Sequence, residues 1–245
     1  MSRFFVSPEA VRGGEIFIEG NEARHLLNVL RLKVKDPVVI FDGTGKEYYG
    51  TIASAVKKHV VVAVTETKDA PLKKRREVVL FQAIPKKDRM DYIVEKATEL
   101  GVEAIVPVIT DRTVVRLDDE RSCVRQTRWE RIALSASEQC GRRVVPAIER
   151  PRLFSDAVAS IDGRSDALIA CLADDTRDIG TVLPERRQEK VLVFIGPEGD
   201  FTAGEVNAAI EKGAVPVSLG PLVMKSDTAG LAVIAMINYE YERAR

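Results

Sequence analysis

The segment FIGPEGDF, Phe194 to Phe201, sets Glu198 and Asp200 in a glycine-rich turn between the apolar run VLVFI and a stretch that reads as a helix. In α/β proteins a ligand loop stands at this kind of position, just beyond the carboxyl end of a strand. A phosphate-binding loop would offer glycine amides and often a lysine, because it meets negative charge at a helix start. Two carboxylates there repel a di- or triphosphate, whereas a ligand with a cationic centre and no phosphate tolerates them. The other reading that the residue types allow is a solvated acidic turn.

The elements that must position this loop are set by the hydrophobic pattern. After Glu77 the pattern is that of strands alternating with helices, as an α/β sheet requires. VVLFQAI reads as a first strand, and DRMDYIVEKATELG as a helix with Ile93, Val94, Ala97 and Leu100 on one face, stopped by Gly101. AIVPVI is a strand. RQTRWERIALSASEQCGR is a longer helix with Trp129, Ile132 and Ala136 inward, and LFSDAVASI, ALIACLA, KVLVFI, TAGEVNAAIEKG, PVSLG and TAGLAVIAMINYEYE continue the alternation. Thr202 and Glu205 have the spacing of a capping box, so a helix should begin immediately after the opening loop.

Before Ala70 the pattern differs. Short β-rich runs, GEIFIEG, DPVVIFDG, EYYGTIASAV and HVVVAVTET, recur between turn residues and read as a small β-barrel, with DGTG as a hairpin connection. DGTGK lacks the full phosphate-loop pattern and is read as a plain turn. NEARHLLNVLRL is the exception, a short helix in which Leu26, Val29 and Leu30 share a face. APLKKRRE, Ala70 to Glu77, with its proline and four consecutive cations, reads as a linker, giving domains over 1–72 and 73–245.

The chain has 245 residues, 45% hydrophobic and 30% charged, which is the composition of an ordinary globular protein with material for two domains. Its longest apolar runs are strand-sized, and the start MSRFFVSPEA lacks the order of a signal peptide, so no membrane association and a cytoplasmic location are expected. Cys123, Cys140 and Cys171 are widely spaced, with only His25 and His59 as further soft ligands, so no metal site and no disulfide framework is expected. The net charge is zero, but residues 1–76 carry 14 basic and 9 acidic side chains against 23 and 28 over the remainder. A basic first segment is suited to nucleic acid. A solvated basic surface is the other reading of that segment, and S-adenosylmethionine, a sulfonium without phosphate, is one ligand that the acidic loop tolerates.

Five ordered motifs carry a resemblance that spans the chain: RHLLNVLR at Arg24 to Arg31, EKATELGV at Glu95 to Val102 with TDR ending at Arg112, RWERIALSASEQCGR at Arg128 to Arg142, IGPEGDF with Glu205 beyond it, and LGPLVMKSDTA at Leu219 to Ala229. In these the chain resembles the RsmE family of 16S ribosomal RNA methyltransferases, of the SPOUT superfamily. The resemblance implies an α/β SPOUT domain with a deep trefoil knot, preceded by a PUA-like β-barrel for RNA. It implies transfer of a methyl from S-adenosylmethionine to N3 of a uridine in 16S rRNA of the small subunit, by a homodimer.

By the same resemblance the cofactor would be held by Leu172, by Ile195, Gly196, Pro197, Glu198 and Gly199, and by Leu219, Gly220, Leu222, Met224, Thr228 and Ala229, with Leu219, Leu222 and Met224 enclosing the adenine ring. Arg24, Arg31, Arg112, Gln139 and Arg142 would meet RNA. Lys225 would stand nearest the chemistry, where a cation stabilises negative charge developing on the uracil. No general base is assigned; Glu198 could take the N3 proton or serve only as a turn residue.

The chain departs from the family's GPEGG at Asp200 and from its LGxRILRTETA at Leu222, Lys225, Ser226 and Asp227. If the Asp200 position needs positive φ, aspartate adopts it less freely than glycine. Lysine at 225 keeps charge but lacks arginine's planar fork. Two alternatives remain: a SPOUT enzyme acting on the ribose 2′-hydroxyl, whose usual motifs are missing, and a ribosomal-RNA-binding module without catalysis.

Overall fold

In the computed structural model, which describes residues 2–56, 58–69, 76–114, 118–186 and 188–243, the chain divides into two compact units. One is Met1–Lys73 with Ser137–Val145, the other Lys74–Ala136 with Pro146–Arg245. Of the linker read at Ala70 to Glu77, residues 70–75 lie outside the described residues.

The first unit is one six-stranded sheet made of β1 (Ser2–Phe5), β2 (Val11–Arg12), β3 (Glu15–Glu19), β4 (Pro37–Phe41), β5 (Lys46–Val56) and β6 (His59–Asp69). The order is β1-β4-β5-β6-β3-β2, antiparallel except for the β1–β4 pair. Alternation along β3 turns Ile16 and Ile18 inward and Glu15, Phe17 and Glu19 outward. Phe4 from one side of the sheet and Ile16 and Ile18 from the other share a core with Ile40, Ile52 and Val62, so the sheet is rolled around its own apolar face. Register shifts between β5 and β6 at Tyr49/Gly50 and Ile52/Ser54 supply the local bend.

The DGTG turn joins β4 to β5 as the sequence suggests. The buried Asp42 carboxylate accepts from Thr44 N–H (2.9 Å), the Thr44 hydroxyl (2.7 Å) and the Tyr48 hydroxyl (2.8 Å), which makes it a turn lock rather than a phosphate site. The segment 137–145 is fastened in the same unit through Glu47, a buried carboxylate paired with Arg3 at 3.1 Å and Arg143 at 2.7 Å. Arg3 Nη1 also donates to the Ser137 carbonyl at 3.1 Å.

The helix expected over NEARHLLNVLRL is shorter and differently wound. Regular helix α1 covers Gly20–Arg24 and continues as a π turn over His25–Val29, closed by Leu30 N–H on the His25 carbonyl. The wider turn rotates the residues it carries, so that Leu26 is buried and Leu27 packs on the core while Val29 and Leu30 are exposed. An apolar face read at 3.6 residues per turn misassigns those two residues.

The second unit alternates strands and helices: β7 (Glu77–Ala83), α2 (Arg89–Glu99), β8 (Ala104–Ile109), α3 (Asp119–Cys140), β9 (Ala147–Ile148), β10 (Arg152–Leu153), α4 (Phe154–Val158), β11 (Asp166–Ala170), β12 (Arg177–Asp178), α5 (Ile179–Val182), β13 (Lys190–Ile195), α6 (Ala203–Glu211), β14 (Val215–Ser218) and α7 (Ser226–Arg243). The last four residues of α3 belong to the first unit. All pairings in this sheet are parallel, in the order β10-β8-β7-β13-β11-β14-β12 with β9 beside β8. β7, β8, β11 and β13 are buried almost without alternation, as strands covered on both faces must be. Phe81 stacks on Phe194 across β7 and β13, with ring centroids 4.4 Å apart. On α2, Ile93, Val94 and Ala97 face the core as their spacing implies, and Gly101 comes after it at φ 89. Among the described residues no helix is long and apolar enough to cross a membrane.

Gly50 marks the tightest point of the first unit. A Cβ there would stand 2.3 Å from the Ala63 carbonyl oxygen and 2.9 Å from Val62 Cγ1. Gly50→Ala should therefore destabilise the protein by about 1–3 kcal/mol, the range for overpacking, seen as a lower urea midpoint in far-ultraviolet circular dichroism.

Candidate active site

Three parallel strands of the second unit, β11, β13 and β14, end at the same edge of the sheet, and the loops that leave them enclose a cavity of about 400 Å³. The first wall is Ala170, Cys171 and Leu172, the second Ile195 to Asp200, and the third Val217 to Gly220 with Leu222 to Ser226 and Ala229.

Ser226, the first residue of α7, fixes the floor. Its buried hydroxyl accepts from Gln82 Nε2 at 2.9 Å and donates to the Gly196 carbonyl at 2.5 Å, joining the end of β7, the end of β13 and the start of the last helix. Gln82 is completely buried, and its Nε2 also donates to the Ala83 carbonyl at 3.1 Å. Gly196 is a glycine for space, since a Cβ would meet Asp200 Oδ1 and the Phe201 ring and N–H, all at 3.2 Å. Of the three loop glycines 196, 199 and 220, only Gly220 has positive φ.

The acidic loop is held from several directions. Glu198 Oε1 accepts from Lys86 N–H at 3.1 Å and lies 3.9 Å from Arg89, which is equally far from Asp227. Asp200 takes φ 61, and its Oδ2 accepts from Leu172 N–H at 2.8 Å, so one side chain links two walls of the cavity. The expected capping box is formed: Thr202 Oγ1 accepts from Glu205 N–H at 3.2 Å and Glu205 Oε2 accepts from Thr202 N–H at 2.8 Å. The other Glu205 oxygen accepts from Asp111 N–H at 2.9 Å, tying the end of the TDR motif to the start of α6. Burial pushes the Cys171 thiol above its ordinary pKa, with the Asp200 and Asp175 carboxylates adding to the effect, so this cavity cysteine stays protonated and is a poor nucleophile.

Of the residues expected at a cofactor site, Leu172, Ile195, Gly196, Pro197, Glu198, Gly199, Leu219, Gly220, Leu222, Met224 and Ala229 line this cavity together. Thr228 does not: its N–H and hydroxyl are both directed at Asp227 Oδ1, at 2.9 and 3.4 Å. Leu222, exposed by 79%, is a rim residue rather than an enclosing one. Lys225 lines the cavity and is exposed. Arg112, grouped with the RNA contacts from sequence, donates through Nη1 to the Gly199 carbonyl at 2.5 Å and the Phe201 carbonyl at 3.3 Å, and so braces the loop. Arg24, Arg31, Gln139 and Arg142 belong to the first unit; the first three are exposed, and Arg142 donates to the Val144 carbonyl at 2.9 Å. Sequence reasoning missed the parts played by Gln82, Arg89 and Ser226. Only Ser226 carried a signal, as a departure from the family motif.

This chain belongs to the RNA methyltransferase family: the model of the RNA methyltransferase domain matches residues 72–238, and that of the RNA methyltransferase PUA domain matches residues 18–65. Within it the similarity is to ribosomal RNA small subunit methyltransferase E. The Bacillus subtilis protein of that name is 29% identical over 100% of this chain and 99% of its own length. The Neisseria gonorrhoeae protein of that name, solved bound to S-adenosyl methionine, is 30% identical, with a TM-score of 0.87 and 98% of each chain covered. A putative methyltransferase from Legionella pneumophila, solved with the cofactor SAM, is 28% identical, with a TM-score of 0.88 and 97% of each chain covered. The fold class expected from sequence, a PUA-like domain before a parallel-sheet SPOUT-type domain, agrees with these relatives.

Ser226→Ala would remove the donor to the buried Gly196 carbonyl and leave the buried Gln82 Nε2 with the Ala83 carbonyl as its remaining acceptor. A loss of about 1–3 kcal/mol is expected, measured as a shift in the urea unfolding curve followed by fluorescence of Trp129, the single tryptophan, which is buried in α3.

Proposed function

We propose that this protein transfers a methyl group from S-adenosylmethionine to N3 of a uridine in 16S rRNA of the small ribosomal subunit, working as a cytoplasmic homodimer. The observation that carries the reading is the cavity at the carboxyl ends of β11, β13 and β14, whose glycine loop presents carboxylates and no phosphate cradle. Its volume falls within the range of about 300–1,000 Å³ usual for small-molecule sites. Leu219 and Met224, both in the cavity lining, suit the faces of an adenine ring. The cofactor, when bound, supplies an electrophilic methyl on a sulfonium.

The residues of this chain then have three tasks. The loop of Gly196 to Gly199, pinned by Ser226 and Arg112, holds the ligand in one orientation, so that the encounter of methyl and base becomes a matter of position. Lys225 stands at the exposed side of the cavity, where a cation lowers the energy of negative charge spreading over a uracil that loses its N3 proton. The target base has to be unpaired to enter, as RNA bases in loops and bulges are. The basic residues Arg24, Arg31 and Arg142, with Gln139, are assigned to the RNA backbone in this reading. Glu198, occupied by Lys86 N–H and neighboured by Arg89, serves the loop rather than proton transfer. The domain division at 72/73 and the trefoil knot are part of the same proposal.

Nucleoside mass spectrometry of ribosomal RNA from cells with and without the gene tests the reading: N3-methyluridine should disappear from the small-subunit RNA when the gene is absent. In vitro, Lys225→Ala should lower turnover by about 10²-fold, the scale of removing one electrostatic donor, while changing S-adenosylmethionine affinity by less than about threefold. An unchanged turnover would remove Lys225 from this role.

A further inference from the structure

The two carboxylates of the cavity are held differently. Glu198 has a guanidinium beside it, that of Arg89 at 3.9 Å. Asp200 has none: among the described residues it forms no ion pair, and Lys225, the cation of the lining, forms none with it. Its carboxylate is confined instead by uncharged groups, with Oδ2 on Leu172 N–H at 2.8 Å and Oδ1 packed against Gly196. Asp200 is half-buried, and its left-handed backbone at φ 61 is a conformation that glycine would adopt without strain. The neighbouring Cys171 thiol feels its negative charge. The cavity therefore has in its wall one carboxylate that forms no ion pair among the described residues, oriented by backbone contacts and partly withdrawn from solvent, with the nearby Arg112 guanidinium engaged by the Gly199 and Phe201 carbonyls.

We infer that Asp200 is a specificity-determining residue that makes the cavity prefer a sulfonium cofactor over the neutral thioether left after methyl transfer. The inference rests on the cavity being the S-adenosylmethionine site. In the reaction the methyl–sulfur bond breaks, its electron pair stays on sulfur, a methyl–nitrogen bond forms, and the N3 proton leaves to solvent, so the cofactor loses one positive charge. A fixed carboxylate in a site of reduced dielectric attracts the cation and gains nothing from the neutral product. The two species have nearly the same shape, so shape alone separates them poorly and a charge in the wall separates them well. The consequence is a site in which fresh S-adenosylmethionine displaces the spent cofactor more readily than it would with a glycine at this position.

Isothermal titration calorimetry with S-adenosylmethionine and S-adenosylhomocysteine tests this on the native protein, Asp200→Asn and Asp200→Gly. Asparagine keeps an oxygen for Leu172 N–H and tolerates the left-handed backbone, so it removes charge alone. Glycine removes the side chain without strain. In both variants the ratio of the two affinities should shift toward the homocysteine form by about tenfold, equivalent to about 1.4 kcal/mol, with the homocysteine affinity itself within about threefold of native. A ratio unchanged in Asp200→Asn overturns the inference. So does an equal loss of both ligands in Asp200→Gly with a native-like asparagine variant, which would make Asp200 only a tie between loops. A native protein that binds neither ligand would instead remove the underlying assignment of the cavity, a result visible before any variant is made.

Discussion

One buried hydroxyl holds three distant parts of the second unit at a single point. Ser226 takes a hydrogen bond from Gln82 at the end of the first strand of the sheet and gives one to Gly196 at the end of β13, while it begins the last helix. Buried polar groups of this kind are costly if one partner is lost, so the three segments are constrained together rather than singly. Gly230, one helical turn further on, conforms to the same constraint, because a Cβ there would stand 2.7 Å from Gln82 Oε1. The position of the glycine loop, and hence the width of the cavity, depends on this junction.

Around it, charge is distributed by proximity to the junction. Cations brace the outer side of the loop, Arg112 through carbonyls and Arg89 through carboxylates, and leave its inner side to glycine backbone and Asp200. A loop that opposes phosphate on its inner face and is stiffened by arginines on its outer face suits a nucleoside ligand that carries positive charge. Membership of the RNA methyltransferase family and the shape of the cavity thus meet in the same residues.

Much of this could be read in the sequence, and the exceptions have physical causes. The alternation after Glu77, the capping box at Thr202 and the DGTG turn are local patterns, set by hydrogen bonds between residues a few positions apart, and the structure forms each of them. The winding of His25–Val29 is not a pattern of that kind: a π turn changes which residues face inward without changing the residue types. Arg112 groups with the RNA contacts in the sequence because its partners, the carbonyls of Gly199 and Phe201, lie 87 and 89 residues away. Gln82 reads as an ordinary strand residue until Ser226, 144 positions on, is brought against it. Clustering of Ser137–Val145 with the first unit is likewise a matter of tertiary contact, which no shift in composition reports.

The parallel sheet of the second unit also bears on how the chain survives its own folding. Parallel pairing joins strands far apart in sequence, so it forms late and leaves unpaired backbone exposed in the meantime. Here the path of the sheet ends on β10 and β12, strands of two residues each, Arg152–Leu153 and Arg177–Asp178, and each outermost strand carries charge. An edge so short and so charged offers little template for a second chain to add a strand. The apolar runs of β7, β8, β11 and β13, which would be the most adhesive segments of the polypeptide, are all interior to the sheet.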